Sequence, residues 1–443
     1  MARVFFINLG CAKNLVDSEL MLGLIKEQGH EITEEPSNSE IAVVNTCAFI
    51  GPAVDESIDT ILSLALMKEQ GHIQRLVVAG CFVQRYGRKL LREMPEVDAW
   101  LGTGKIHKIR DVLTISHDSS PLMLVDRPLF LADHSHPRVQ TTPFYTSYLK
   151  IAEGCSHRCS FCIIPSLRGP YRSRTVESLL LEAQNMVERG VIEINLVAQD
   201  TTSYGHDLDP PRGLEDLLEG LLTISGLRWL RILYAHPSHI TDRLLDLIDS
   251  EEALCPYLDV PIQHVNPDIL RSMGRPFGPE SVRTLLERIR RRTRKIALRT
   301  TLLVGFPGET QGHFRELCDF VKEARFDRLG VFAFSPEKGT HAARLNHAIS
   351  RREVDSRVQE LMEIQVHVSR ELNRERIGNT LPVLVEGLSQ ETDLLLSGRT
   401  ATMAPDVDGQ VLINEGWGIV GEIAPVQITE AHTYDLVGRI ANA

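Results

Sequence analysis

The stretch EGCSHRCSFCIIP, residues 153 to 165, sets three cysteines close together, at positions 155, 159 and 162. A structural zinc site takes four ligands, usually as two short-spaced pairs. No fourth cysteine lies near, and His157, inside the motif, would strain a tetrahedron. A cube of four irons is a better match. Three corners held by Cys155, Cys159 and Cys162 leave one iron open to a small molecule, much as a catalytic zinc keeps one position free of protein. The spacing of three residues and then two lets a single loop wrap the three corners.

The rest of the chain bounds what such a loop serves. Its 443 residues are enough for two to four domains with buried cores. Hydrophobic residues make up 43% and charged residues 24%, an ordinary soluble composition. No apolar run is long enough to span a bilayer, so no membrane partner is expected. The start, MARVFFINLG, reads as a first strand and not as a signal peptide. A cytoplasmic chain with reduced thiols is therefore expected, and its close-set cysteines point to metal or redox chemistry. The net charge of −11 argues against a coat for nonspecific nucleic-acid binding, although a local basic patch remains compatible with it.

Residues 1–130 alternate strand and helix signals. RVFFINL, IAVVN and RLVVA are apolar strand candidates. DSELMLGLIKEQG predicts a helix with Asp17 or Ser18 as N-cap and Gly29 as its stop, and a second helix is expected around residues 54–70. This βαβ pattern predicts a parallel sheet. Cys11, Cys47 and Cys81 each fall just past one of the three strands. The carboxyl ends of strands in open α/β sheets line one ligand crevice, so three thiols 36 and 34 positions apart can converge there. The alternative is three buried cysteines acting as small hydrophobes.

Residues 131–143, LADHSHPRVQTTP, read as a polar linker, with His134 and His136 solvated and not metal ligands. Residues 144–375 hold six strand candidates: YLKIA, IEINLVA, LRILY, YLDVPI, IALRTTLLV and RLGVFAF. With helices between them, they predict a full or partial barrel of parallel strands. The basic run RIRRRTRK at 288–295 suits a solvated helix end, with a nucleic-acid or acidic contact as the alternative. Residues 377–443 change to short β-like pieces and read as a small all-β barrel of about five strands. This tail has nine Asp and Glu, two Arg and no Lys, a net charge of −7. That charge avoids phosphates and favours a basic protein surface. Two further stretches follow barrel strands. Gln199 and Asp200 in LVAQDTTSYG are placed to meet a cofactor's polar groups. Gly305 and Gly308 in LLVGFPGET permit close backbone approach to a ligand, and no nucleotide P-loop is present there.

The cysteine spacing, with the aromatic Phe161 before the last cysteine, resembles the radical S-adenosylmethionine superfamily. The resemblance implies that the open iron takes the amine and carboxylate of S-adenosylmethionine (SAM), whose reductive cleavage yields a 5′-deoxyadenosyl radical. A partial six-strand barrel fits that superfamily. NLGCAKNLVDSE, NTCAFI, AGCFVQRY, CSHRCSFCIIPSLRGPYRSR, VPIQH, VGFPGET and FSPEKGT narrow the likeness to the methylthiotransferase family, over nearly the whole chain. The layout is similar too: an N-terminal methylthiotransferase domain, a radical SAM domain and a C-terminal TRAM barrel. LGCAKN and FCIIPSLRG resemble the branch that modifies an aspartate of small-subunit ribosomal protein twelve. The other branch acts on adenosine in transfer RNA.

The resemblance implies two 4Fe–4S clusters. Cys155, Cys159 and Cys162 would hold the radical cluster, and Cys11, Cys47 and Cys81 an auxiliary one. Cys255 and Cys318 match no ligand position and read as structural. One SAM would methylate sulfur at the auxiliary cluster. Another would supply the radical that removes hydrogen from the aspartate β-carbon, a position unsuited to acid–base chemistry. A low-potential electron donor and a sulfur donor are implied as partners, with the ribosomal protein or the small subunit as substrate. Asp406, Asp408 and Glu415 are the candidate contacts of the acidic barrel with that basic protein. A nonenzymatic iron–sulfur protein that binds ribosomal or RNA partners is the alternative of another class.

Overall fold

In the computed structural model, residues 1–114, 120–275, 281–346 and 349–441 are described. The N-terminal strands are β1 (Arg3–Asn8), β2 (Glu31–Thr33), β3 (Ile41–Thr46), β4 (Arg75–Gly80), β5 (Ala99–Gly102) and β6 (Leu122–Leu124). They form one parallel sheet in the order β2-β1-β3-β4-β5-β6. The apolar runs of β3 and β4 are buried along their whole length, as central strands covered on both faces must be. β2, β5 and β6 are short edge-side additions that the apolar patterning did not single out.

The helices α1 (Ala12–Glu27), α2 (Gly51–Glu69) and α3 (Cys81–Tyr86) follow β1, β3 and β4. α1 corrects an expectation. It begins nearly two turns earlier than the DSEL signal, with Cys11 and not Asp17 or Ser18 as its N-cap. Asp17 and Ser18 are 2% and 1% exposed, and their side chains serve interior contacts instead of a helix end. The stop is close to that expected: α1 ends at Glu27, two residues before Gly29.

The central strands are β7 (Thr146–Lys150), the two-residue pair β8 (Ala152–Glu153) and β9 (Arg172–Ser173), then β10 (Glu193–Val197), β11 (Trp229–Ile232), β12 (Leu254–Asp259), β13 (Ala297–Val304) and β14 (Arg328–Ala333). Six of them make a parallel sheet in the order β14-β13-β12-β11-β10-β7, matching the six expected strands. Apolar side chains on this sheet meet Val16 of α1 and Leu384 and Ala404 of the tail in one cluster. The other domains therefore seal the inner face of the sheet.

The tail is a closed barrel of β15 (Thr380–Leu388), β16 (Leu396–Thr400), β17 (Val411–Glu415), β18 (Ile423–Ala431) and β19 (Leu436–Ile440), in the order β15-β16-β17-β19-β18. The polar segment 131–143 has no regular structure, yet it is anchored. Arg138 donates to Glu19 (2.7 Å) and Glu182 (2.9 Å), and the Thr141 N–H donates to Glu19 (2.7 Å). His136 contacts Asp133 at 3.0 Å. The basic run at 288–295 is largely consumed internally. Arg292 pairs with Asp242 and Asp246, Lys295 with Glu375, and Arg290 and Arg294 donate to helix-end carbonyls.

Candidate functional site

Strand order reverses between β1 and β3, which is where an open α/β sheet forms its ligand crevice. Cys11 follows β1 and Cys47 follows β3, one on each side of that point, and Cys81 opens α3 directly after β4. The backbone comes in tightly. A Cβ placed on Gly10 would lie 2.9 Å from Cys47 Cβ and 3.2 Å from its Sγ. The three thiols are close enough to influence one another's ionisation.

One guanidinium stands among them, and it comes from the next domain. Arg168 ends the short helix Ile164–Arg168 that follows Cys162. It is 2% exposed, and it donates to Asn14 Oδ1 at 2.9 Å and Asp17 Oδ2 at 2.5 Å. Asn14 in turn donates to Leu9 O and, at 3.4 Å, to Thr46 O, beside Cys47. Lys150 pairs with Asp17 and, at 2.8 Å, with Glu153. Buried charges must be paired to be tolerated, and here the pairs run across the two domains. Burial pushes the Cys81 thiol up to about 11, partly offset by Arg168. Cys11 is exposed; desolvation by the chain around it acts the same way, but there Lys13 and Arg168 prevail and its pKa is lowered.

The second triad lies on the loop between β8 and the Ile164–Arg168 helix. Cys155, Cys159 and Cys162 line a cavity of about 500 Å³ with Pro165, Pro170 and the segment Gly339–His341. Burial pushes Cys155 to about 11 and Cys162 to about 12. Arg275 Nη1 lies 3.5 Å from Cys159 Sγ. Metal ligation needs thiolates, so loading either triad releases protons and gains from nearby cations. Three thiols without a fourth, each set with its own buried or half-buried cation, fit an anionic cluster with one open corner.

Gly154 fixes the entry to this loop. Its φ is +80°, and a Cβ there would lie 2.1 Å from Pro170 O. The Cys155 N–H donates to Gly169 O at 3.0 Å, across the same gap. Gly154→Ala is therefore expected to displace the loop and to cost at least about 1–3 kcal/mol from backbone strain. Iron retained per chain after reconstitution would drop, and wild-type iron content in a normally folded variant would refute this role.

Arg85, in α3, joins the two halves. It donates to Ala48 O (2.8 Å), next to Cys47, and pairs with Glu337 (2.6 Å), whose loop continues into Gly339–His341 at the radical cavity. Ile163 and Leu167 share an apolar cluster with Cys81, Phe82 and Val83. The two triads are thus held by one interface.

Sequence comparison places each part of the chain. Residues 3–102 match the family described as Uncharacterized protein family UPF0004, 149–321 the radical SAM superfamily and 377–441 the TRAM domain. The chain is 48% identical over 439 residues to the ribosomal protein uS12 methylthiotransferase RimO of Pelobacter propionicus, covering 99% of this chain and 98% of that one. It is 49% identical to RimO of Geobacter sulfurreducens (99% and 98% covered) and 46% identical to that of Myxococcus xanthus (99% and 91%). The chain belongs to the ribosomal protein uS12 methylthiotransferase family. Among solved structures, the fold is similar to the radical SAM methyltransferase TsrM of Kitasatospora setae. The TM-score is 0.55 at 16% identity, over 74% of this chain and 72% of that one. A family member of this kind takes SAM and an iron–sulfur cluster. No helix among the described residues is long and apolar enough to cross a membrane.

The remaining candidates are distributed unevenly. Phe161 packs against the apolar cluster that contains Ile269, Met273, Phe306 of VGFPGET and Phe334. Gln199 is half-buried just past β10. Asp200 is turned to local contacts: it accepts from Thr202 and Ser203 and faces His157. Burial raises its carboxyl, but hydrogen bonds from His157, His239, Ser203 and Thr202 outweigh this and hold it well below the usual range. Gly305 closes on protein, since a Cβ there would meet Val354 at 2.6 Å. Its N–H donates to Glu309 at 2.5 Å, which also pairs with Arg357 at 2.9 Å. Gly308 faces open space.

The acidic candidates part company. Asp408 is corrected: its side chain is fully buried, accepting the Ala404 N–H (2.9 Å) and lying 3.7 Å from Arg299 and 3.9 Å from Arg328. It docks the barrel and offers no recognition surface. Asp406 is exposed and accepts from Tyr148 Oη at 3.1 Å, and Glu415 is exposed with Arg439 at 3.9 Å. Lys13, Asn14, Lys150, Glu153, Arg168 and Arg275 were not singled out from sequence, and Asp17 was read there only as a helix cap. Apart from Arg275, they are charged or amide residues near the cysteine motifs.

Proposed function

We propose that this protein methylthiolates the β-carbon of an aspartate in ribosomal protein uS12, using SAM and a sulfur donor. The observation that carries the reading is the pair of three-thiol sites joined through Arg168 and Arg85, in a chain aligned end to end with uS12 methylthiotransferases. In this reading Cys155, Cys159 and Cys162 hold the 4Fe–4S cluster that meets SAM, and Cys11, Cys47 and Cys81 hold a second one. When bound, these groups supply one-electron cleavage of SAM and a transferable methylated sulfur.

The chain's own residues supply placement. Arg275 and Arg168 set positive charge against the two thiolate sets. Phe161 anchors the cysteine loop in the apolar cluster of Ile269, Met273, Phe306 and Phe334, and Gln199 stands at the strand end where polar groups of SAM would arrive. The Asp17, Lys150, Glu153 and Arg168 network holds the two sites in register and excludes water between the domains. A low-potential reductant and a sulfur source are the implied partners, and the cytoplasm is the implied compartment.

The barrel surface supports a basic protein substrate. Of its two arginines, Arg399 is buried, while Glu391, Asp393, Asp406, Glu415, Glu422 and Glu430 are exposed. Such a face attracts a basic partner and repels RNA phosphates. The test is an anaerobic assay with reconstituted enzyme, reductant and SAM, offered uS12 or the small subunit in one vessel and transfer RNA in another. Mass spectrometry is expected to find the methylthio group on the protein's aspartate. Its appearance on adenosine alone would overturn the reading. Asp406→Asn with Glu415→Gln is expected to weaken uS12 binding several-fold at low salt, and unchanged affinity would remove these two acids from recognition.

A further inference from the structure

Beside the radical cysteine loop, three imidazoles meet that neither triad uses. His157 stacks on His236 with ring centres 4.2 Å apart, and His239 lies 4.9 Å from His236 and 5.3 Å from His157. One ring nitrogen of each lies within 4.8 Å of those of the other two. His236 and His239 come from the turn after β11, and His157 from between Cys155 and Cys159. Asp200 stands against two of them. Its Oδ2 is 2.6 Å from His157 Nε2 and 3.3 Å from His239 Nδ1.

That carboxylate is already immobilised. Asp200 is 2% exposed, its Oδ1 accepts from the Thr202 N–H (3.0 Å) and hydroxyl (2.7 Å), and the Ser203 hydroxyl donates to Oδ2 (2.5 Å). Three imidazoles set beside a fixed carboxylate gather on one spot the donor types that bind a cation. Imidazole and carboxylate are donors for zinc-type ions. An ion with bonds of about 2.1 Å has tetrahedral edges of about 3.4 Å, close to the His239–Asp200 separation of 3.3 Å, while the His157–Asp200 pair at 2.6 Å and the stacked His157 and His236 rings must open to receive it. The side chains of His157 and His239 are 26% and 35% exposed, so an ion has access from solvent.

We propose that His157, His236 and His239, with the Asp200 carboxylate, form a site for a first-row divalent cation of the zinc type. The ion replaces the His157–Asp200 hydrogen bond and ties the cysteine loop to the Pro237–His239 turn. His157, unfit as a fourth ligand of the cysteine set, acts as a ligand of a separate ion.

The reconstituted, iron-loaded protein, incubated anaerobically with zinc and desalted, is expected to retain one zinc per chain with its iron unchanged. X-ray absorption at the zinc edge is expected to show nitrogen and oxygen ligation. His236→Ala with His239→Ala is expected to lose the zinc and keep the iron. If that double variant fails to fold, His239→Gln alone is expected to weaken zinc binding at least ten-fold. No retained zinc, equal binding by the folded variant, or sulfur-ligated zinc with matching loss of iron would each overturn the site. The first two outcomes leave the methylthiotransferase reading untouched.

Discussion

Cys159→Ala is expected to abolish reductive cleavage of SAM while the iron bound through Cys11, Cys47 and Cys81 stays in place. A cluster held by three thiolates has no spare ligand, and the described residues around the cavity offer no further cysteine. Losing Cys159 also leaves Arg275 facing an apolar methyl. The second triad has its own backbone supports in α1, α3 and the β3 turn, so about half of the iron should survive. Formation of 5′-deoxyadenosine by the reduced protein and iron per chain are the two measurements. Normal cleavage by the variant would end the assignment of this loop. The same change at Cys255, buried in β12, or Cys318, buried in the helix Gln311–Ala324, is expected to leave both measurements unchanged.

Glu193→Gln is expected to loosen the C-terminal barrel from the radical domain. Glu193 is fully buried at the start of β10. It pairs with Arg399 of the barrel at 2.7 Å and with Arg231 at 2.9 Å, and accepts from Thr146 at 2.8 Å. Arg231 also reaches across to Ala401 O at 2.7 Å. Removing one partner of a buried pair strands the others, at a cost of about 3–5 kcal/mol. Urea unfolding and limited proteolysis between the helix Arg351–Arg374 and β15 measure the effect, and wild-type behaviour in both would refute it.

The same group sets a pH dependence. Burial raises the Glu193 carboxyl, but Arg399 and Arg231 prevail and lower it from 4.5 to about 2. A depressed acid stabilises the fold fully above its unfolded pKa and loses that stabilisation as pH falls through the folded value. Docking of the barrel should therefore be insensitive to this group above about pH 4.5 and weaken between there and pH 2, by on the order of 3 kcal/mol. Glu193→Gln should flatten that window.

The grouping of the thiols was legible without a fold. Cys155, Cys159 and Cys162 stand close in consecutive sequence, and the structure keeps them on one loop lining one cavity. Cys11, Cys47 and Cys81 were legible for a different reason: each follows an apolar β-branched run, and parallel strands bring their carboxyl ends together. The six central strands and the barrel showed through the same patterning.

The errors share a cause. DSEL was read as a helix start because Asp and Ser cap helices, but Asp17 is spent on Lys150 and Arg168, residues 133 and 151 positions away. Asp408 was counted on the surface because composition cannot tell an exposed acid from one buried against Arg299 and Arg328. The sequence by itself determined which thiols exist in sets of three and which elements carry them, since ligand spacing and strand periodicity are local properties. Only the tertiary structure decided that Arg168 of one domain sits among the cysteines of another, that Arg399 is hidden against Glu193, and that three scattered histidines meet at Asp200. Charge pairing over long sequence separations is set by which faces become buried together, and no local pattern encodes it.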